Sequence, residues 1–318
     1  MPAMINSPED FTIIGENIHA TRVVLRNGRR AITLDDGREI VPFKDNSDNQ
    51  RQLTIPDSYK ATQPYQQGQI KHFMIAIAKG IVEDSLEREE GAAYVQAEAR
   101  AQAKAGAHYL DLNVDELSYE LETQKRAMVW LVTTIQKSST LPLSIDSSNP
   151  DIIESGLEVY DYDETRPIIN SVALERLETL DLVKKFNAKV VVTAAGADSM
   201  PQDEAERITN VTDIMDAVHQ AKVPIEDVYI DCIVFPISVA GDYGSHFLTA
   251  VSTIRETYGP KIHITGGLSN VSFGLPKRKL INDTFTYLAI QSGLDTGIMD
   301  PVQSRISEIM NLDLESSR

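Results

Sequence analysis

Eight short runs of apolar and β-branched residues alternate with stretches of helical period. That alternation predicts an α/β protein, a closed (β/α)8 TIM barrel, for this chain of 318 residues. Eight such units in about 300 residues suit a closed barrel better than an open doubly wound sheet. Polar side chains also gather at the C-terminal ends of the runs while their interiors stay apolar, as a barrel requires.

The first strand is read at Phe11–Gly15, followed after an interruption by His108–Asn113, Leu141–Asp146, Pro167–Asn170, Lys189–Thr193, Val228–Asp231, Lys261–Thr265 and Asp295–Met299. Helices are read between them at Glu89–Ala105, Glu120–Lys137, Pro150–Val159, Glu175–Phe186, Asp203–Ala221, Tyr243–Tyr258 and Lys277–Gln291. Pro150 and Pro276 stand where a first helical turn tolerates proline. Residues 22–70 break the rhythm. Asn27-Gly28 and Asp36-Gly37, each flanked by strand-like residues, predict a small antiparallel meander after the first strand. The polar stretch 44–70, with Pro56 and Pro64, reads as a long loop, either a lid or partner surface or a plain surface excursion. The chain, 1–318, is read as a single barrel domain carrying this insertion.

Lys plus Arg number 30 against 47 Asp plus Glu, a net charge of −17, which argues against general affinity for nucleic acid. The one cysteine, Cys232, excludes an internal disulfide framework and a cysteine-based zinc cluster. It reads as a small buried residue rather than a nucleophile. The longest apolar run falls far short of the ~20 residues of a membrane span. The stretch Met1–Asp10 has neither a basic nor an apolar segment of a secretion signal, so a cytoplasmic location is expected. The histidines His19, His72, His108, His219, His246 and His263 show no metal spacing and read as structural or solvated. No metal site is expected.

The strand ends carry the chemistry. Gly15-Glu16-Asn17 closes the first strand, Asp111 and Asn113 the second, Asp146 the third, Asn170 the fourth and Asp231 the sixth, with Ser269-Asn270 after the seventh. Such a set of carboxylates and carboxamides suits a ligand dense in N–H donors and carbonyl acceptors. A fused heterocycle such as a pterin fits, and a sugar or a divalent ion stays open on these residues alone. Plainer readings stand beside this one. Asp146 can cap the helix that starts near Pro150, Asn270 can stabilise a turn, and Arg278 can be a solvated residue of a first helical turn.

The words Leu143-Ser144-Ile145-Asp146-Ser147-Ser148-Asn149-Pro150, Ile168-Ile169-Asn170-Ser171-Val172, Val228-Tyr229-Ile230-Asp231 and Gly267-Leu268-Ser269-Asn270-Val271-Ser272-Phe273-Gly274-Leu275-Pro276 occur in register with the strands. Together they resemble the pterin-binding family of cobalamin-linked methyltransferases. That family includes methyltetrahydrofolate:corrinoid/iron-sulfur protein methyltransferase and the folate module of cobalamin-dependent methionine synthase. The similarity covers about residues 86–301 and Gly15-Glu16-Asn17.

The resemblance implies methyl transfer between N5 of tetrahydrofolate or methyltetrahydrofolate and a corrinoid cobalt. It implies that Asp146, Asn170 and Asp231 bond the pterin ring, with Asn113 as a further contact. Asn270 approaches N5 and, with Asp231, supports the chemistry. Arg278 lies near the folate, and Glu16 and Asn17 match the family's first-strand pair. The corrinoid-domain word DxHxxG is missing, so the resemblance implies a cobalamin or other corrinoid carried by a partner protein that docks over the barrel mouth. A homodimer formed through barrel helices is implied as well. Val192-Thr193-Ala194-Ala195-Gly196-Ala197-Asp198 departs from the family's bulkier Leu-Thr-Met word, and Cys232 stands where proline is usual. Two alternatives remain. A dihydropteroate synthase-like enzyme would need an N-terminal NVTPDSF-type word that this chain lacks. A non-catalytic pterin-binding protein would keep the ring contacts without turnover.

Overall fold

A computed structural model describes residues 5–312; Met1–Met4, part of the N-terminal stretch read above, lie outside the described residues. The chain opens with strands β1 (Thr12–His19), β2 (Val23–Leu25), β3 (Ile32–Thr33), β4 (Glu39–Lys44) and β5 (Gln50–Thr54). Short helices α1 (Asp57–Lys60) and α2 (Gln63–Gln66) precede β6 (Gln69–Lys71), α3 (His72–Gly80) and α4 (Ser85–Lys104). The alternation then runs β7 (Tyr109–Asn113), α5 (Leu121–Gln136), β8 (Leu143–Asp146), α6 (Pro150–Leu157), β9 (Ile168–Val172), α7 (Thr179–Lys185), β10 (Lys189–Thr193) and α8 (Glu204–Gln220). It ends with β11 (Val228–Asp231), α9 (Tyr243–Tyr258), β12 (His263–Thr265), α10 (Arg278–Gln291), β13 (Thr296–Met299) and α11 (Ile306–Ile309).

Among the described residues, one sheet holds eight strands in the order β12-β11-β10-β9-β8-β7-β1-β13. Its two outer strands also meet, through a parallel bridge from Gly267 to Ile298 and the Ile298 N–H donating to Gly266 O at 3.0 Å. The protein is a (β/α)8 barrel, as the alternation predicts. The helix expected over 175–186 divides into a 3-10 turn, Leu174–Arg176, and α7. No helix of the described residues is long and apolar enough to cross a membrane.

The described residues pack as two compact units, one of residues 5–15, 105–109 and 166–312, the other of 16–104 and 110–165. In the first, Ile14, Tyr109, Ile168, Val191 and Tyr229 are buried together, with Ile298 against them. The starting ends of its strands carry a polar network. Lys189 Nζ donates to Tyr109 Oη at 2.9 Å, and the Tyr229 ring stacks on His263 at 4.5 Å. His263 Nδ1 and Arg255 Nη2 lie 2.9 and 3.0 Å from the two oxygens of Asp295. Polar groups at that end of a barrel serve stability.

The second unit holds the insertion, and two expectations need correction there. The turn at Asn27-Gly28 does not join a hairpin. Strand β2 instead pairs antiparallel with β6, Val23 to Lys71, Val24 to Ile70 and Leu25 to Gln69. That pairing buries Val24 and Ile70 while Val23 and Leu25 face outward, and Gly28 N–H only closes a tight turn onto Leu25 O. The turn at Asp36-Gly37 does join β3 to β4, with Gly37 at a φ of 83°.

The stretch 44–70 is also more ordered than a loop. β5 pairs with β4, opposing Val41 to Leu53, and α1 and α2 bury Tyr59 and Tyr65. Helix α3, absent from the sequence reading, packs on α4 and buries His72, Phe73, Ile75, Ala76 and Ile77. Gly80 and Gly91 allow the closeness. A Cβ on Gly80 would fall 2.1 Å from the Trp130 ring, and one on Gly91 would fall 2.3 Å from Ala76 O.

Candidate active site

In the second unit, β7 and β8 run parallel with Asn113 opposite Asp146, so both side chains leave the C-terminal ends of adjacent strands. Asn113 Nδ2 donates to Asp146 Oδ2 at 2.9 Å, and Asn113 Oδ1 accepts the Asp115 N–H at 3.0 Å. The serines after Asp146 turn away from it. Ser147 Oγ, Ser148 N–H and Ser148 Oγ all donate to the Asp115 carboxylate. Asp146 does not cap α6; Asn149 does, its Oδ1 accepting the Asp151 N–H at 2.9 Å. The Asp146 side chain is about a quarter exposed (25%).

His19, the last residue of β1, stands with Nε2 3.6 Å from Asp146 Oδ2. Burial, then the Arg22 charge, pull its pKa down to about 4 against the opposing pull of Asp115 and Glu116, so the ring is neutral near pH 7. Arg22 Nη2 bonds Glu16 Oε1 at 2.6 Å and Asn17 Oδ1 at 3.1 Å. Asn17 is buried, donates from Nδ2 to Glu98 Oε1 at 2.8 Å and from its backbone N–H to Gln102 Oε1. Glu16 and Asn17 thus anchor the end of β1 to Arg22 and, for Asn17, to α4.

In the first unit, Asn170 is buried in β9 at the point where pairing with β10 shifts register, Asn170 opposing Val191 and Val172 opposing Val192. Its peptide bond to Ser171 is cis. Arg176 holds Ser171 through the carbonyl at 3.4 Å and Oγ at 3.2 Å. Asp231 ends β11 opposite Thr193, and its Oδ1 accepts the Ile233 N–H at 2.8 Å. Ile233 has a φ of 58°, a conformation that β-branched residues adopt only when held.

The holder is Arg207 of α8, fully buried, with Nε 3.0 Å from Cys232 O and Nη2 3.4 Å from Ile233 O. Desolvation pushes the Asp231 carboxyl up to about 6, against the opposing pull of the Ile233 N–H and the Arg207 charge. Cys232 is buried beside it, and burial pushes its thiol up, which fits the small packed residue expected and not a nucleophile.

Asn270 is exposed on the 3-10 turn Leu268–Ser272 that follows β12. Its backbone N–H bonds Gly267 O at 3.0 Å, and its side chain lies over Gly267, where a Cβ would fall 2.9 Å from Nδ2. Arg278, first residue of α10, is exposed, yet its guanidinium is engaged. Nε bonds Ser272 Oγ at 2.9 Å and Nη2 bonds Ser269 O at 2.8 Å. It therefore braces the turn that presents Asn270.

Within each unit the expected residues come together in part: Asn113 with Asp146, and Arg278 with the Asn270 turn. His19, Asp115 and Arg207 were not anticipated. Arg207 did leave a signal, since it occupies the apolar stripe of α8 with Val211, Ile214 and Val218, where a lone arginine must be buried and satisfied. Among the described residues no group of three or more His, Cys, Asp or Glu side chains could hold a metal ion.

Residues 83–300 match the family described as pterin binding enzyme. The methylcorrinoid:tetrahydrofolate methyltransferase of Eubacterium limosum is 30% identical over 227 residues, spanning 70% of this chain and 80% of that protein. Among solved structures, dihydropteroate synthase from Xanthomonas albilineans in complex with 7,8-dihydropteroate aligns over 69% of this chain and 83% of its own, with a TM-score of 0.57 and 19% identity. Dihydropteroate synthase from Stenotrophomonas maltophilia aligns over 70% and 86%, with a TM-score of 0.57 and 14% identity. At such identities these two structures speak to fold alone. The match over residues 83–300 takes in well over half of the sequence, and the barrel with its strand-end Asp and Asn residues agrees with it: the chain belongs to the pterin binding enzyme family.

Proposed function

We propose that this protein is a methyltransferase that moves a methyl group between N5 of tetrahydrofolate and the cobalt of a corrinoid carried on a separate protein. The observation that carries the reading is the 30% identity to a methylcorrinoid:tetrahydrofolate methyltransferase over 70% of the chain. The strand-end chemistry supports it. Asp146 and Asn113 supply a carboxylate and a carboxamide already bonded to each other. Asn170 in β9 and Asp231 at the end of β11 supply a carboxamide and a carboxylate in the other unit. Carboxylates suit a pterin because its amino group and neighbouring ring N–H can both donate to one of them.

Methyl transfer requires N5 to become a better leaving group, which means favouring its protonated form. In this reading Asn270 offers its carbonyl oxygen to that proton, and Asp231 stabilises the developing positive charge. The bound corrinoid would supply the cobalt that carries the methyl group. Arg278 serves by bracing the Asn270 turn, and Glu16 and Asn17 by anchoring the end of β1. The corrinoid protein docks over the barrel mouth, and the enzyme works as a cytoplasmic homodimer without nucleic-acid or membrane partners.

The test is calorimetric titration of the protein with methyltetrahydrofolate and with tetrahydrofolate, followed by methyl transfer to free cobalamin. Saturable binding and cobalamin methylation are expected. Absence of binding by either folate would overturn the reading, and binding without transfer to any corrinoid would replace it with a non-catalytic pterin-binding protein.

A further inference from the structure

His19 has no part in the contacts assigned above, and the geometry around it supplies one. Its Nδ1 accepts the backbone N–H of Thr21 at 3.2 Å and lies 2.8 Å from Thr21 Oγ1. A backbone N–H can only donate, so Nδ1 carries no proton and the neutral ring must carry its proton on Nε2. That nitrogen faces Asp146 Oδ2 at 3.6 Å, and the same oxygen accepts Asn113 Nδ2 at 2.9 Å.

One donor, Asn113, is thus bonded to that carboxylate oxygen, and a second, His19 on a different strand, faces the same oxygen without a formed bond. The Asn113 bond restrains that carboxylate, and a bond from His19 would add to the restraint; a carboxylate that takes two N–H groups from a flat heterocycle must lie in the plane of that ring. The distance of 3.6 Å is wider than a formed hydrogen bond, of the kind that tightens when a ligand arrives. The charged groups that act on the ring are Arg22, Asp115 and Glu116. Of these, Arg22 is itself tied to Glu16 and Asn17, and Asp115 to Ser147 and Ser148.

We propose that His19 is a positioning residue that holds the Asp146 carboxylate in the orientation that receives the pterin ring, with Thr21 fixing the His19 tautomer that does so. The proposal rests on the pterin reading of the site. It differs from a packing role because it acts through one carboxylate and through one ring nitrogen.

The test uses the full chain with H19L, H19Q, T21V and D146N, alone and as H19L combined with D146N. Each is titrated with the folate that the parent binds and assayed for kcat and KM. H19L is expected to weaken binding about tenfold and to raise KM more than it lowers kcat. H19Q, which keeps a donor near the Nε2 position, is expected to recover most of that loss, and T21V, which removes Oγ1 but keeps the backbone N–H that sets the tautomer, to give a smaller loss than H19L. In the D146N background H19L should add little, because both act through the same carboxylate.

Parental affinity in H19L would overturn the proposal. So would an equal loss in H19Q and H19L, or a tenfold loss that persists on top of D146N, since those mark a packing role. Failure of the parent protein to bind any folate would overturn the pterin reading and this proposal with it, and it shows before any variant is made.

Discussion

Asp231 gives the most quantitative expectation. Its carboxyl has been moved from an ordinary 3.8 to about 6, chiefly by burial. A shift of that size corresponds to roughly 3 kcal/mol of penalty on the charged form in the folded protein. The sign follows from proton uptake. Between about pH 3.8 and pH 6 the folded state binds more protons at this group than the unfolded state does, so its contribution to stability falls as pH rises. Below that window the penalty is absent, and above it the penalty is complete.

Asp231→Asn removes the charge and keeps an oxygen to accept the Ile233 N–H now held at 2.8 Å. It gives up the attraction to Arg207, so the net gain near pH 7.5 is expected to be about 1–3 kcal/mol. The assay is urea unfolding of parent and variant at several pH values, with folate titration alongside. The variant should be more stable near neutrality, lose that advantage as pH drops towards about 4, and bind the pterin more weakly. A variant no more stable than the parent at neutral pH would refute the reasoning. So would a stability gain that stays constant down to about pH 4, because the advantage would then not come from a buried charge.

Three further outcomes follow from the same contacts. Asn270→Ala should slow methyl transfer by about tenfold or more while leaving the calorimetric affinity for folate nearly unchanged; equal turnover would remove Asn270 from the mechanism. Asp146→Ala should weaken folate binding by about 1–3 kcal/mol, since it leaves ring donors unpaired, and an unchanged affinity would sink that contact. Arg255→Met should destabilise the fold by about 3–5 kcal/mol in urea unfolding, because it strips a buried partner from Asp295 and donors from the carbonyls of Gly293, Gly259 and Ile262, without a direct effect on the transfer step.

The barrel strands were legible where burial acts on both faces. Lys189–Thr193 and Val228–Asp231 are nearly continuous apolar runs ending in a polar residue, and the structure places both strands at those bounds. The insertion was legible only in outline. Gln50-Arg51-Gln52-Leu53-Thr54 has a single buried residue, Leu53, so its strand character comes from pairing with β4 and not from its own pattern. For α3 the difficulty was the opposite: His72–Gly80 is buried on nearly every side and shows little of the periodicity that marks a surface helix.

The site divides along the same line. Asp146, Asn170 and Asp231 stand in or at the ends of strands, where an apolar run interrupted by a polar residue and a barrel rule suffice to mark them. Their supports are contacts that no spacing rule reaches. Asp115 grips the serines that follow Asp146, 32 and 33 residues away. Arg207 reaches 25 residues on to Cys232 O, fixing the loop that follows Asp231. A strand end marks where a polar group stands, but the orientation of that group is set by partners distant in sequence. That is why the strand-end Asp146 stands out in the sequence while its neighbours His19 and Thr21, placed beside it by the fold, do not.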